Sequence, residues 1–330
     1  MSVLLLNQGD IAAIAPGCRE IVSLVEETYR MQAGGGVEVP AKIGVYPHGS
    51  QSFLHAMPAW VGGQRALGLK WVSFFPQNAS RGKAVSSGLV VLNDPESGLP
   101  LAILEGMWIT YARTAACAAV AARALAAGAP RRLGLVGCGG LARWSLRMIG
   151  AVVPTIKEVF VASTRRETRE AFCAAMRREG DWSLRAVDDV RGAVEGMDVV
   201  VSSVPKLEVH PVSARWWAKG AVFIPLDVTG AWDDAVYSTA DRIVCDGAEN
   251  LRKAFERYRP DLSLDPARLV SLQDIALGKA SGRRGADDRV LAFVTGIASV
   301  DMALAAELYR RALQQGRGQP FDFGPFTEST

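Results

Sequence analysis

This 330-residue sequence has no apolar run near the ~20 residues that a membrane-spanning helix requires, so no membrane partner is expected. Neither sign of charge prevails. With 37 Lys and Arg against 34 Asp and Glu, the net charge of +3 is too small to argue for a nucleic-acid partner. Cysteine is scarce and scattered: Cys18, Cys117, Cys138, Cys173 and Cys245 are odd in number and form no C-x-x-C pair. That usage fits reduced thiols in the cytoplasm. Cys138 has no base near it in the sequence and reads as buried filler rather than a nucleophile. The three histidines, His48, His55 and His210, show no metal-ligand spacing, and no metal is expected. The opening Met1-Ser2-Val3-Leu4-Leu5-Leu6-Asn7 lacks the basic start of a secretory leader and meets Asp10, so it reads as a strand.

What is present is an ordinary globular composition, 49% hydrophobic and 22% charged, at a length that favours two domains. The most informative stretch is Leu133-Gly134-Leu135-Val136-Gly137-Cys138-Gly139-Gly140-Leu141-Ala142. An apolar strand runs into a glycine turn and then into a helix. Gly137 permits the tight turn, Gly139 lets backbone N–H groups approach a pyrophosphate, and small Ala142 lets the helix pack on the strand. A second strand, Val159-Phe160-Val161-Ala162, follows at βαβ spacing, which favours a dinucleotide site over a plain structural turn.

The first ~110 residues read as α+β on periodicity. A helix over 17–32 is stopped by Gly34-Gly35-Gly36, and strands are expected at 42–46, 52–57, 66–73, 88–93 and 100–104. An alanine-rich helix over 108–127 leads into the glycine-loop strand. Beyond it strand and helix alternate, with strands at 159–162, 198–203, 221–226 and 242–246 and a helix over 165–178. Residues 291–315 read as one long apolar-striped helix.

Several stretches resemble, in order, the motifs of one family. They are Ala66-Leu67-Gly68-Leu69-Lys70-Trp71-Val72-Ser73, Leu92-Asn93-Asp94-Pro95-Glu96-Ser97-Gly98-Leu99-Pro100-Leu101-Ala102 and Ile109-Thr110-Tyr111-Ala112-Arg113-Thr114-Ala115-Ala116. The glycine turn and Gly296-Ile297-Ala298-Ser299-Val300-Asp301 complete the set. The family is that of ornithine cyclodeaminase and μ-crystallin. It contains ornithine cyclodeaminases, archaeal-type alanine dehydrogenases, ketimine and pyrroline-2-carboxylate reductases, and opine or diaminopropionate-pathway enzymes. The resemblance implies an α/β protein with a Rossmann-type doubly wound sheet, here over 129–291. It further implies an α+β substrate-binding and dimerisation domain built from both termini, 1–128 and 292–330, which forms a homodimer.

Hydride exchange at an α-amino carbon needs a cation for the carboxylate, an acid or base for the nitrogen, and a nicotinamide. Lys70 matches the family lysine beside the substrate, as carboxylate contact or proton donor. Between Leu69 and Trp71 desolvation would lower its pKa, and the competing reading is a solvent-facing lysine on an alternating strand. Arg113 matches the carboxylate-binding arginine, whose fork suits a planar anion, and Thr114 matches a cofactor contact. Lys42 stands where cyclodeaminases carry arginine and alanine dehydrogenases lysine, which pulls the reading toward a dehydrogenase or reductase. Asp227, after Ile224-Pro225-Leu226, matches the aspartate that orients the amine; its rival reading is an Asx turn or helix cap. Val85 departs from the Ser or Thr common in the family, with Ser86 and Ser87 beside it. Some alanine dehydrogenases have an arginine near His55, so this pocket is not theirs. Trp60, Trp71, Trp108, Trp232, Phe74 and Phe75 point to a larger or more apolar substrate than alanine, or to plain core.

The glycine turn supplies Gly137, Gly139, Gly140 and Leu141 as cofactor contacts, joined by Thr295. NAD enzymes place Asp or Glu at the end of the second strand; here the sequence reads Ser163-Thr164-Arg165-Arg166. Two guanidinium groups and two hydroxyls suit a 2′-phosphate, so NADP(H) is expected over NAD(H). The leading reading is an NADP(H)-dependent reductase or dehydrogenase of an imino or amino acid, or of a keto acid by reductive amination. Lys42 and Arg113 would hold the carboxylate, while Lys70 and Asp227 handle protons. The rivals are a cyclodeaminase with tightly held cofactor and no net redox turnover, and a binding protein that keeps the cofactor without catalysis.

Overall fold

The computed structural model describes residues 2–49, 52–205 and 210–324; Met1 of the expected opening strand and residues 325–330 of the expected terminal domain lie outside them. In chain order the first elements are β1 (Ser2–Leu6), α1 (Gln8–Ile14), α2 (Cys18–Ala33), β2 (Val37–Glu38), β3 (Ile43–Val45), β4 (Phe53–Val61), β5 (Ala66–Phe74), β6 (Ser86–Asn93), β7 (Pro100–Glu105) and α3 (Gly106–Leu125). Next come β8 (Arg132–Val136), α4 (Gly140–Val152), β9 (Glu158–Ala162), α5 (Arg166–Met176), β10 (Ser183–Val187), β11 (Val199–Ser202) and β12 (Val222–Pro225). The last are α6 (Asp234–Thr239), β13 (Arg242–Cys245), α7 (Ala248–Tyr258), β14 (Leu269–Ser271), α8 (Leu272–Leu277), β15 (Val290–Phe293), α9 (Ala298–Gln315) and β16 (Gln319–Asp322).

The chain forms two compact units, Met1–Arg113 with Ile297–Thr330, and Thr114–Gly296. The first unit holds a sheet ordered β16-β1-β7-β6-β5-β4-β2, with β3 also paired to β4. α9 lies on β4, β5 and β6 and against α1 and α2. It is buried almost all round over residues 298–305, and it covers one side of the sheet, with Met302 against Gly68 of β5. β4 runs straight through Pro58, where the sequence reading ended a strand at Met57. The reason is local: β3 pairs Leu54–Ala56 and β2 pairs Trp60 and Val61, so nothing pairs at Pro58 on that edge. Its missing N–H therefore costs no ladder bond. Helix α1 lies outside the elements that the sequence pattern predicts, and Asn7 and Asp10 form a reciprocal capping box at its start.

The second unit holds a sheet ordered β10-β9-β8-β11-β12-β15-β13-β14, parallel throughout. The strand order reverses on either side of β8, the switch point where open α/β sheets bind ligands. The expected single helix over 291–315 is corrected here. Val290–Phe293 is a buried strand between β12 and β13, and the helix begins only at Ala298. A four-residue apolar run pairs as readily as it coils, and two waiting strands decide it. Trp232, Phe255, Phe293 and Tyr237 pack ring against ring in this unit's core, so Trp232 is structural. No helix among the described residues is long and apolar enough to cross a membrane.

Candidate active site

In the first unit β5 places Lys70 on the face covered by α9, and the residue is fully buried. That excludes the solvent-facing reading. Its ammonium donates to Asp301 Oδ1 at 2.7 Å, and the Nε of Arg113, from α3, donates to the same oxygen at 2.8 Å. Asp301 is itself fully buried, and its Oδ2 has no hydrogen-bond partner among the described residues. Burial, and then the Arg113 charge, hold the Lys70 ammonium down to about 7 from its ordinary 10.5, against the opposing pull of Asp301. Lys42, half-buried just before β3, is near enough to depress it further. The structure thus brings Lys70 and Arg113 onto one carboxylate, with Lys42 close enough for Lys70 to feel its charge; in the sequence Asp301 stands only as the last letter of the Gly296–Asp301 motif. Its partner Lys70 lies 231 positions away in sequence, so no local pattern could have paired them.

In the second unit the remaining candidates lie at the carboxyl ends of parallel strands, apart from Thr114, which is buried in α3. After β8, Gly137 adopts φ +98°, and a Cβ there would lie 2.6 Å from the Ser203 carbonyl. Only glycine fits that turn. Gly139 caps α4 without any side-chain cap, and no atom lies within 4 Å of where its Cβ would stand. Open space above uncapped N–H groups of Gly140, Leu141 and their neighbours is what a pyrophosphate fills, so these residues fit a dinucleotide.

After β9, Ser163 is half-buried while Thr164, Arg165 and Arg166 are exposed. Arg166 pairs with Glu170, and Arg165 forms no ion pair among the described residues. The neighbouring carboxylate, Asp188, is bonded by buried Arg169, which also donates to the Ser163 carbonyl. Thr295, after β15, donates through both N–H and hydroxyl to Asp246 Oδ1, at 2.7 and 2.6 Å.

Asp227 follows β12, and its carboxylate is engaged by backbone: Oδ2 accepts from Val204 N at 3.2 Å, and Oδ1 from Gly230 N and Ala231 N at 3.3 and 3.2 Å. The turn reading therefore describes what it does in this structure. Burial pushes its carboxyl above the usual range, with those N–H groups pulling the other way. Beside it Val228 holds φ +56°, a strained setting for a β-branched residue, fixed in part by Trp232 Nε1 donating to the Val228 carbonyl at 2.8 Å. His210 bonds the Gly230 carbonyl, and the described residues contain no His, Cys, Asp and Glu group suited to a metal.

The model of the ornithine cyclodeaminase/mu-crystallin family matches residues 16–316. The chain belongs to that family. The nodulation efficiency protein NfeD of Rhizobium meliloti is 28% identical to this chain over 318 residues, covering 95% of this chain and 96% of that protein. The Δ1-pyrroline-2-carboxylate reductase of Bacillus cereus is 29% identical over 278 residues, 81% of this chain and 84% of the enzyme. A solved archaeal alanine dehydrogenase dimer with bound NAD superposes with a TM-score of 0.88 at 27% identity, over 98% of this chain and all of that one (100%).

Proposed function

We propose that this family member is an NADP(H)-dependent oxidoreductase that reduces the C=N bond of an α-imino acid, whether a ketimine, a cyclic imine or one formed from a keto acid and an amine. The observation that carries the reading is the meeting of Lys70 and Arg113 on the single carboxylate of Asp301, with the Lys42 charge near enough to act on Lys70. Ammonium and guanidinium donors suit an anion, and the Arg113 fork suits a planar carboxylate. The second unit acts as the dinucleotide-binding domain, and the first as the substrate-binding and dimerisation domain.

When bound, the reduced nicotinamide supplies a hydride to the α-carbon; the nitrogen takes one proton, and C=N becomes CH–NH. Lys70, held near neutrality, is the proton source, and Asp301 keeps it charged. Lys42 and Arg113 hold the carboxylate. Asp227 orients the nitrogen, with Val228 fixing its aim. Arg165, exposed and without an ion pair among the described residues, takes a 2′-phosphate, with Ser163, Thr164 and Arg166 around it. Neutralisation of Asp188 by Arg169 removes the carboxylate that would otherwise repel it.

The protein works as a homodimer in the cytoplasm. Support for the dimer comes from the sheet face opposite α9, where Ile43, Trp71 and Leu89 share one row across β3 to β6 and are 67%, 45% and 49% exposed. Net NADPH consumption with imines as substrates tests the function. Turnover without net consumption, with ammonia released, would instead mark a cyclodeaminase.

A further inference from the structure

The face of the sheet that carries Lys70 continues past it. Side chains alternate along a strand, and directly opposed residues of neighbouring strands share a face. The pairs Met57–Lys70, His55–Val72 and Phe53–Phe74 across β4 and β5 therefore put Phe53, His55 and Phe74 on the Lys70 face. Gly44, opposite His55, brings β3 into the same row, and Lys42 stands two residues before it.

Further along this face the rings form a half-exposed wall. Phe53 and His55 stack with centroids 4.0 Å apart, Phe53 and Phe74 lie 5.6 Å apart, and Tyr46 meets His55 edge-on at 5.8 Å. The Tyr46 hydroxyl is 3.3 Å from His55 Nε2. Gly44 makes this closure possible, since a Cβ there would lie 2.7 Å from that hydroxyl and 2.8 Å from His55 Cδ2. At ~3.3 Å per residue the wall begins about 7 Å from Lys70 along the strand and ends about 13 Å away. None of Tyr46, Phe53, His55, Val72, Phe74 and Gly88, which line this stretch, carries an acid.

We propose that this wall receives the substrate's side chain, and that the protein acts on α-imino acids bearing a flat ring rather than a methyl group. The inference rests on Lys42 and Arg113 as the carboxylate holders, which start the substrate at the Lys70 end of the same face. A ring continuing along the strand meets π-faces and edges, which a methyl group is too short to reach.

The experiment compares kcat/KM for phenylpyruvate and pyruvate, each with methylamine and NADPH, in the full-length protein and in its Phe74→Ala, Phe74→Leu and His55→Ala variants. The expected result is a preference for phenylpyruvate of about tenfold, cut about two- to tenfold by each Ala variant and less by Phe74→Leu. Equal or better use of pyruvate, or an unchanged ratio in the variants, overturns the proposal and leaves the reductase reading standing. If a variant melts early, the wild-type ratio decides. If neither keto acid is turned over, the reductase reading falls, and calorimetry on the NADP+-loaded protein judges the wall. Tighter binding of phenylpyruvate than of pyruvate then supports it, and equal or weaker binding overturns it.

Discussion

Replacing Asp301 by Asn keeps the shape of the side chain and removes the charge that two cations share. Both contacts are short, at 2.7 and 2.8 Å, and both charged partners are buried. An opposite charge at this range moves a pKa by about 1–3 units, so Lys70, now near 7, should titrate lower by that amount in the variant. The sign follows from the role: a proton donor works below its pKa. Imine reduction in the native protein should decline above about pH 7, and in Asp301→Asn the same limb should move acid-ward by that shift. At pH 7 the protonated fraction drops about five- to several-hundredfold, and activity recovers as the pH is lowered. Stability should fall too, by about 3–5 kcal/mol while Lys70 stays charged, because a buried cation loses its partner. The assay is a pH profile of kcat/KM beside a denaturant melt. A variant that melts early yet keeps its limb near 7 would refute the reasoning, since a purely structural carboxylate lowers stability without moving the titration.

Other expectations are simpler. Arg165→Ala should raise the KM for NADPH roughly tenfold and leave that for NADH nearly unchanged; equal effects on both would assign this arginine to the helix surface. Gly137→Val should abolish dinucleotide binding in calorimetry and cost at least ~1–3 kcal/mol, because φ +98° and the Ser203 carbonyl leave no place for a side chain. Trp71→Glu combined with Leu89→Lys should convert a dimer to a monomer in analytical ultracentrifugation; an unchanged sedimentation coefficient would place the interface elsewhere. Finally, folding lowers Lys70 from 10.5 to about 7, so the unfolded chain binds the extra proton between those values. Stability should therefore rise with pH across that window, and Lys70→Met should flatten the rise in urea titrations at stepped pH.

Local chemistry was legible in the sequence where a few adjacent residues decide it. The turn at Gly137 and the start of α4 follow from sterics within ten residues, and the alanine-rich α3 and the strand around Lys70 were visible from pattern. What pattern could not supply was partnership. Val290–Phe293 is a strand because β12 and β13 flank it, not because of its own residues. The short β10, β14 and β16 have too few apolar positions to show a period, and α1 spans under two full turns beyond its cap. Trp71 and Trp232 look alike in sequence, yet one is 45% exposed on a sheet face and the other fully buried. Asp301 was in view as a motif letter, but its meeting with Lys70 and Arg113 is a product of α9 lying on β5.

The late entry of β15 into the middle of its sheet has a consequence for synthesis. β12 and β13 never touch as partners; each waits for residues 290–293 to arrive between them. Of the strands in this sheet β15 is the last to be synthesised, so β12 and β13 each keep an unpaired edge until residues 290–293 emerge. A chain ending before residue 290 would leave both of those edges open, whereas one ending just after residue 293 would carry every strand of this sheet.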